Sequence, residues 1–351
     1  MFKKHGDRKE DKYLITSFYF FFREIKSIFD LYTLKIQPKN IYTMISLLGN
    51  ILPKHVIYYL LERKKMDKKI IYINSIAIAF LALIATVSGL FWKGLYKGDT
   101  ISGTAQMMGQ DLVTLVICIP ILIGTLYLIY KDSLKGHLIW MGTIFYFLYS
   151  YASMSFLTSY NQLFLVYVAI FSISLYTLLG EMFSLDIKAI KKSFSTGATD
   201  KIAAIFLVII GLMLAAMWLK MIIDSLLTGI APASLESYTT LVIQALDLGV
   251  VVPAAIITGV LLFKGKEWGY VLASIFLIKV SLLGTAILSM IYFMMQNGVT
   301  IELGQAMFFI IVTILGIAIS VAFYSKIKDS TNQNKYIEIN KGDKGRVSRV
   351  K

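Results

Sequence analysis

Residues 271–295 read VLASIFLIKVSLLGTAILSMIYFMM, and this stretch is long and apolar enough to cross a bilayer as one helix. Its one charge is Lys279, which stands near the middle, more than a helical turn from any other charged residue. Near the bilayer centre a charged side chain costs at least about 2.5–3.5 kcal/mol on insertion scales. Lys279 therefore needs a partner, a water-filled cavity or a function.

Further apolar runs along the chain also have the length of a membrane span, which is about 20 residues. The sequence predicts an all-α, polytopic membrane protein with about eight transmembrane helices, whose partner is the lipid bilayer. The composition agrees, because 57% of the residues are hydrophobic and only 16% are charged, whereas soluble domains carry about 25% charged residues. The predicted spans are 70–92, 112–130, 138–158, 163–184, 202–223, 241–263, 270–294 and 304–325.

Basic residues gather in alternate loops, and this sets the expected orientation. The loops after the second, fourth and sixth predicted spans carry lysines, whereas those after the fifth and seventh carry Glu236 and Glu302 and no lysine. Lys93 and Lys97, after the first span, depart from the pattern. Because cytoplasmic loops carry an excess of lysine and arginine, we expect both termini in the cytoplasm.

The two ends of the chain are basic and contribute to the net charge of +14. Residues 1–69 hold apolar patches too short to span a membrane, broken by basic residues and two prolines. We expect amphipathic helices on the inner face, with lysines toward anionic lipid headgroups; a partly disordered tail is the alternative. Residues 326–351 are polar, and we expect a flexible cytoplasmic tail. No folded soluble region remains that would bind nucleic acid.

The membrane region, 70–325, contains a weak internal repeat with an offset of 133 residues. Each copy holds a proline-containing helix, a lysine at its cytoplasmic end, a glycine turn and a returning helix. This indicates two parallel four-helix halves, 70–184 and 202–325, with chance matching among apolar residues as the alternative. The strongest matches are Pro120 with Pro253 (253 − 120 = 133), Lys131 with Lys264, and Gly136 with Gly269.

Lys279 has a candidate partner of opposite charge, Asp247, in the preceding span and close to Gln244. At about 1.5 Å per residue the two charges lie at similar depths, so we predict a buried ion pair. The repeat-related positions are Thr114 and Tyr146, so both charges are absent together from the first copy. The pair either fixes helix packing as a structural element, or it binds a substrate or proton in a transport path.

A second polar set lies near the outer ends of the predicted spans. Asp111 and Asn161, with tyrosines that include Tyr146 and Tyr149, could line an acidic vestibule. The alternative is ordinary capping, because a carboxylate such as Asp111 is favoured at a helix N-terminus. The tryptophans stand near predicted span ends and are interpreted as an anchoring aromatic belt; they are Trp92, Trp140, Trp218 and Trp268.

Motifs for catalysis and metal binding are absent from the sequence. The chain has a single cysteine, Cys118, and its three histidines lie outside the apolar runs, which leaves no pattern for a disulfide or a metal site. It also lacks a phosphate-binding loop and a recognisable nucleophile–base motif. We therefore expect no cofactor and no metal, and an enzyme is the least favoured class of function.

Four stretches carry a resemblance to known sequences: QDLVTL at 110–115, YNQLFLVY at 160–167, Leu246–Leu248 with Pro253, and Trp268–Tyr270 with Lys279. In these the chain resembles a family of uncharacterised bacterial polytopic membrane proteins that has no established activity. The resemblance covers roughly residues 70–325. It implies a multi-pass protein of the bacterial cell membrane, and it transfers no mechanism.

Two functions remain open. The first is small-solute or ion-coupled transport or binding at Asp247 and Lys279, reached from the vestibule that holds Asp111 and Asn161. The second is a non-catalytic scaffold or sensor, in which the ion pair is purely structural and residues 1–69 dock a cytoplasmic partner or anionic lipid. A cavity that reaches Lys279 favours the first function, and a closed, dry pair favours the second.

Overall fold

The computed structural model describes residues 66–328, which form helices joined by loops, without a β-strand. The predicted all-α fold is confirmed for this part of the chain. Most of the predicted regions 1–69 and 326–351 lies outside the described residues. The α-helices are α1 (Lys68–Phe91), α2 (Ile101–Val113), α3 (Ile119–Tyr130), α4 (Leu134–Leu157), α5 (Phe164–Ser184), α6 (Ile187–Lys192), α7 (Ala198–Thr228), α8 (Val242–Leu246), α9 (Val252–Phe263), α10 (Glu267–Gln296) and α11 (Leu303–Ser325).

Seven helical segments of the described chain are long and apolar enough to cross a membrane. Five are the single helices α1, α5, α7, α10 and α11, and the other two, Ile101–Tyr130 and Val242–Phe263, each combine two α-helices with a π-helical turn between them. The first of these two begins at 101 rather than at the predicted 112. Its first turns contain Gly, Gln and Ser and are weakly apolar, but they pack against α10, and tertiary packing supplies most helical stability in proteins.

The helix α4 covers the predicted span 138–158 but is less apolar than the other seven segments. It carries Tyr146, Tyr149 and Ser150, and most of its side chains are buried. It packs against α3, α5 and α10, so much of its surface meets protein and its polar groups can find polar partners. The prediction of a helix here is right, whereas the count of eight membrane spans is not established.

Contacts between loops define the two ends of the bundle. At one end, Lys68 Nζ lies 2.6 Å from Asp132 and ties the start of α1 to the α3–α4 turn. At the opposite end, Asp99 accepts a hydrogen bond of 2.8 Å from the Ser159 amide, which ties the α1–α2 loop to the α4–α5 loop. We name the first the basic end, because its loops and helix starts carry Lys131, Lys135, Lys188, Lys191, Lys192, Lys201, Lys264 and Lys266.

The two segments related by the 133-residue offset both contain a π-helical turn. These turns, Thr114–Cys118 and Asp247–Val251, coincide under the offset, and so do the helices α3 and α9 that follow them. Pro120 and Pro253 occupy the second position of those helices. Proline lacks an amide proton and its ring displaces a carbonyl of the preceding turn, which accounts for the local change from α to π hydrogen bonding.

The tight turns that follow α3 and α9 also agree with each other. Asp132 (φ 54°) and Gly265 (φ 62°) occupy equivalent positions, and both are left-handed. The returning helices then pass close to the helices before them, because a Cβ atom at Gly136 would meet Leu128 and one at Gly269 would meet the backbone of Leu261. The repeat seen in the sequence therefore corresponds to a repeated local structure in these two hairpins.

Gly109 marks the closest approach of α2 to α10, since a Cβ atom there would lie 2.5 Å from the backbone nitrogen and Cα of Met290. We expect Gly109→Ala to force these helices apart and to lower the free energy of unfolding by about 1–3 kcal/mol. Gly124→Ala is the control, because nothing lies within 4 Å of that position, and it should be neutral or stabilising by up to about 1 kcal/mol. Thermal melting of the purified variants measures the difference; equal melting temperatures would contradict the close contact.

Candidate functional site

Lys279 is buried in the middle of α10, where its side chain is 2% exposed. It lies about 18 Å along the helix from Glu267, at about 1.5 Å per residue. Its Nζ lies 4.1 Å from the centre of the Tyr149 ring and 5.9 Å from the centre of the Phe145 ring. Such cation–π contacts are worth about 2 kcal/mol when they are desolvated, so Tyr149 offsets part of the cost of burying the ammonium.

In the part of the chain that the structure describes, the Lys279 ammonium lacks a conventional polar partner. Within residues 66–328 it forms neither a salt bridge nor a hydrogen bond. An ammonium has three N–H donors, and an aromatic ring face satisfies them only in part. A buried charge normally needs a paired charge and hydrogen bonds, so this group retains the capacity to bind an anion.

Asp247 opens the second π-helical turn and is 6% exposed. Its Oδ1 accepts a hydrogen bond of 2.7 Å from the Tyr149 hydroxyl, and its Oδ2 accepts one of 2.9 Å from Trp218 Nε1. Both carboxylate oxygens are therefore engaged. π-Helical turns are frequent at functional sites, and here the turn presents the carboxylate to α4 and α7.

The predicted direct Asp247–Lys279 ion pair is wrong in its geometry. The two side chains do not come within the 4.0 Å of a salt bridge in the described structure. Tyr149 bridges them instead, with its hydroxyl on Asp247 and its ring face under Lys279. A phenol that donates to a carboxylate gains electron density in its ring, which strengthens the attraction of the ring for the ammonium. The two charges thus remain coupled through one aromatic side chain.

The sequence predicts other roles for two residues of this site. It predicts that Tyr149 lines an outer vestibule and that Trp218 is an anchor at the membrane surface. Trp218 is instead buried and donates to Asp247, because an indole N–H needs a partner when it is enclosed. The available signal was the unusual polarity of α4, where several tyrosines and serines interrupt an otherwise apolar helix.

Tyr146 does not join Lys279 and Asp247. It is fully buried, and its hydroxyl lies 2.6 Å from Thr114 Oγ1. Thr114 and Tyr146 are the positions that match Asp247 and Lys279 under the 133-residue offset. The first copy therefore holds a neutral pair in direct hydrogen-bond contact, whereas the second holds two charges that are separated by a ring.

Asp111 belongs to a separate buried group, which lies toward the end of the bundle opposite to the basic end. Its carboxylate is 2% exposed and accepts a hydrogen bond of 2.7 Å from the Tyr96 hydroxyl. The capping interpretation is wrong, because α2 begins at Ile101 and its cap is Thr100. Tyr96 lies in the loop between α1 and α2. Burial raises the pKa of its phenol, and the neighbouring Asp111 carboxylate raises that pKa further.

The remaining predicted site residues are buried but stand apart from the ammonium. Asn161 uses its Oδ1 to accept a hydrogen bond of 2.9 Å from the Leu163 amide, and its Nδ2 has no partner in the described structure. Gln244 is buried one turn before Asp247 on the same helical segment. Among the described residues no hydrogen bond joins Asp111 or Asn161 to Lys279, Tyr149 or Asp247, so a continuous path from a vestibule to Lys279 stays a prediction.

A cavity lies beside Lys279, between α7, α9, α10 and α11. Its volume is about 80 Å³. One water molecule needs about 10–15 Å³, so the cavity has room for a small group of atoms. The side chains that line it are apolar except for Lys279 and Thr313. Among the described residues, Lys279 is therefore the one charged residue that lines this cavity.

Metal-binding clusters of three or more His, Cys, Asp or Glu side chains are not found within residues 66–328. Comparisons with protein-family models, with curated proteins and with solved structures find no match to this chain. No activity can therefore be carried over from a relative, and what the site can do follows from its own chemistry.

The bridge through Tyr149 makes a prediction about stability. Tyr149→Phe keeps the ring under Lys279 but removes the hydroxyl from Asp247, and we expect a loss of about 1–3 kcal/mol in the free energy of unfolding. In an Asp247→Asn background the same change should cost less, because the charge-assisted hydrogen bond is already weakened. A double-mutant cycle on the melting of the purified protein measures the coupling. Tyr292→Phe, on an exposed face of α10, is the control, and strict additivity would contradict the bridge.

Proposed function

We propose that this multi-pass membrane protein binds a small anionic solute at Lys279 and moves it across the membrane. One observation carries the proposal: among the described residues, a buried lysine without a salt bridge or hydrogen bond lines a cavity that has room for a ligand. A lysine with only a structural role is expected to be paired. An anion from solution would supply the missing partner.

The proposed architecture has eight spans in two parallel halves, with α4 as the eighth span. Its support is the same π-helical turn, proline and left-handed residue at an offset of 133 residues in each half. The excess of lysine at the basic end favours a cytoplasmic location for that end, and hence for both termini, in a bacterial cell membrane. The functional asymmetry would then arise from charges that only the second half carries.

The test concerns Lys279 and uses propane-1-sulfonate, an anion that does not titrate near neutral pH. Saturating sulfonate should raise the melting temperature of the wild-type protein in lipid nanodiscs, because a ligand that binds the native state stabilises it. Lys279→Gln should abolish the shift, whereas Lys266→Gln, at an exposed lysine, should retain it. An equal shift in the Lys279→Gln protein would overturn the anion site and leave the scaffold function, with the Lys279–Tyr149–Asp247 contact as a purely structural element.

A further inference from the structure

The cavity beside Lys279 is almost entirely apolar, and this restricts the ligand. On α10 it is lined by Leu283 and Ile287, and on α11 by Phe308 and Val312. Its second polar residue, Thr313, already donates its hydroxyl to the Phe309 carbonyl at 2.7 Å. A small, strongly hydrated anion would lose its water here and gain a single partner, which is unfavourable. A ligand with one charged group and an apolar body matches the lining better.

The shape of the cavity gives the length of that body. Along α10 the lining runs from Phe276 to Ile287, and its part from Lys279 to Ile287 corresponds to about 12 Å. This direction leads away from the basic end and toward the start of α11, where Phe308 and Phe309 complete the wall. Phe308, Phe309 and Val312 are half-buried and the cavity is partly open, so an elongated apolar body could enter between the helices.

We infer that the ligand of Lys279 is an amphipathic monoanion, whose acidic group meets the ammonium and whose apolar body fills the cavity. The inference rests on the proposed function and adds the chemical class of the ligand. A membrane phospholipid fits poorly, because its headgroup stays at the bilayer surface, whereas Lys279 lies about 18 Å into its helix. The ligand is therefore a single-chain acid that is free to reach the middle of the membrane.

The test compares octane-1-sulfonate, propane-1-sulfonate and octan-1-ol on the full-length protein in phosphatidylcholine nanodiscs. Each methylene moved from water into an apolar site strengthens binding by about fourfold, and we expect octane-1-sulfonate to bind at least about tenfold more tightly than either other probe. Val312→Trp should fill the cavity and weaken octane-1-sulfonate by about tenfold, with little change for propane-1-sulfonate. Ile311→Trp, at the adjacent exposed position, is the matched control and should leave both unchanged.

The outcomes separate this inference from the proposed function. If Lys279→Gln abolishes binding of both sulfonates while Val312→Trp changes neither, the apolar-body inference is overturned and the anion site stands. If Lys279→Gln changes the binding of neither sulfonate, the anion site and the apolar-body inference are both overturned. They are also both overturned if octan-1-ol binds as tightly as octane-1-sulfonate to the wild-type and to the Lys279→Gln protein. Addition of phosphatidylglycerol should not compete; strong competition would overturn the single-chain assignment. Leu283→Phe replaces Val312→Trp if that variant fails to fold.

Discussion

A single aromatic side chain, Tyr149, connects two buried charges of this protein, Asp247 and Lys279. Its hydroxyl binds Asp247 and its ring lies under Lys279, so a carboxylate and an ammonium share one neutral group without touching. Trp218 holds the second oxygen of Asp247. Side chains from α4, α7, α10 and the second π-helical turn thus meet at one point in the interior. Because the carboxylate is satisfied by two donors, the ammonium stays available.

The repeated hairpins explain why the two copies differ at this site. Both copies provide the same π-helical turn before a proline, and the two matched positions lie in that turn and in the returning helix. In the first copy they hold Thr114 and Tyr146, which satisfy each other in a direct hydrogen bond. In the second copy the charged pair is longer and costlier to bury, and a tyrosine from the first copy intervenes. The same backbone arrangement therefore carries a neutral pair in direct hydrogen-bond contact, Thr114 and Tyr146, and a charged pair separated by a tyrosine ring, Asp247 and Lys279.

The helical architecture could be predicted from the apolar runs. Lys279 could be predicted as a candidate site residue because it is the isolated charge in one of these runs. The repeat was readable from Pro120 and Pro253, because proline has a specific backbone effect. The start of α2 and the bridging role of Tyr149 were not readable, since both depend on packing between helices distant in sequence. Trp218 was misplaced for a related reason: proximity to a span end does not reveal which face of the helix is enclosed.

An experimental structure of crystals soaked in bromide would test the open ammonium most directly, because bromide scatters anomalously and is a weakly hydrated monoanion that loses little on leaving water. We predict an anomalous peak beside Lys279 Nζ on the cavity side, with Tyr149 still bonded to Asp247, and no such peak in Lys279→Gln crystals. A structure in which Lys279 forms a direct salt bridge with Asp247, with bromide only at surface lysines, would contradict an anion site at Lys279.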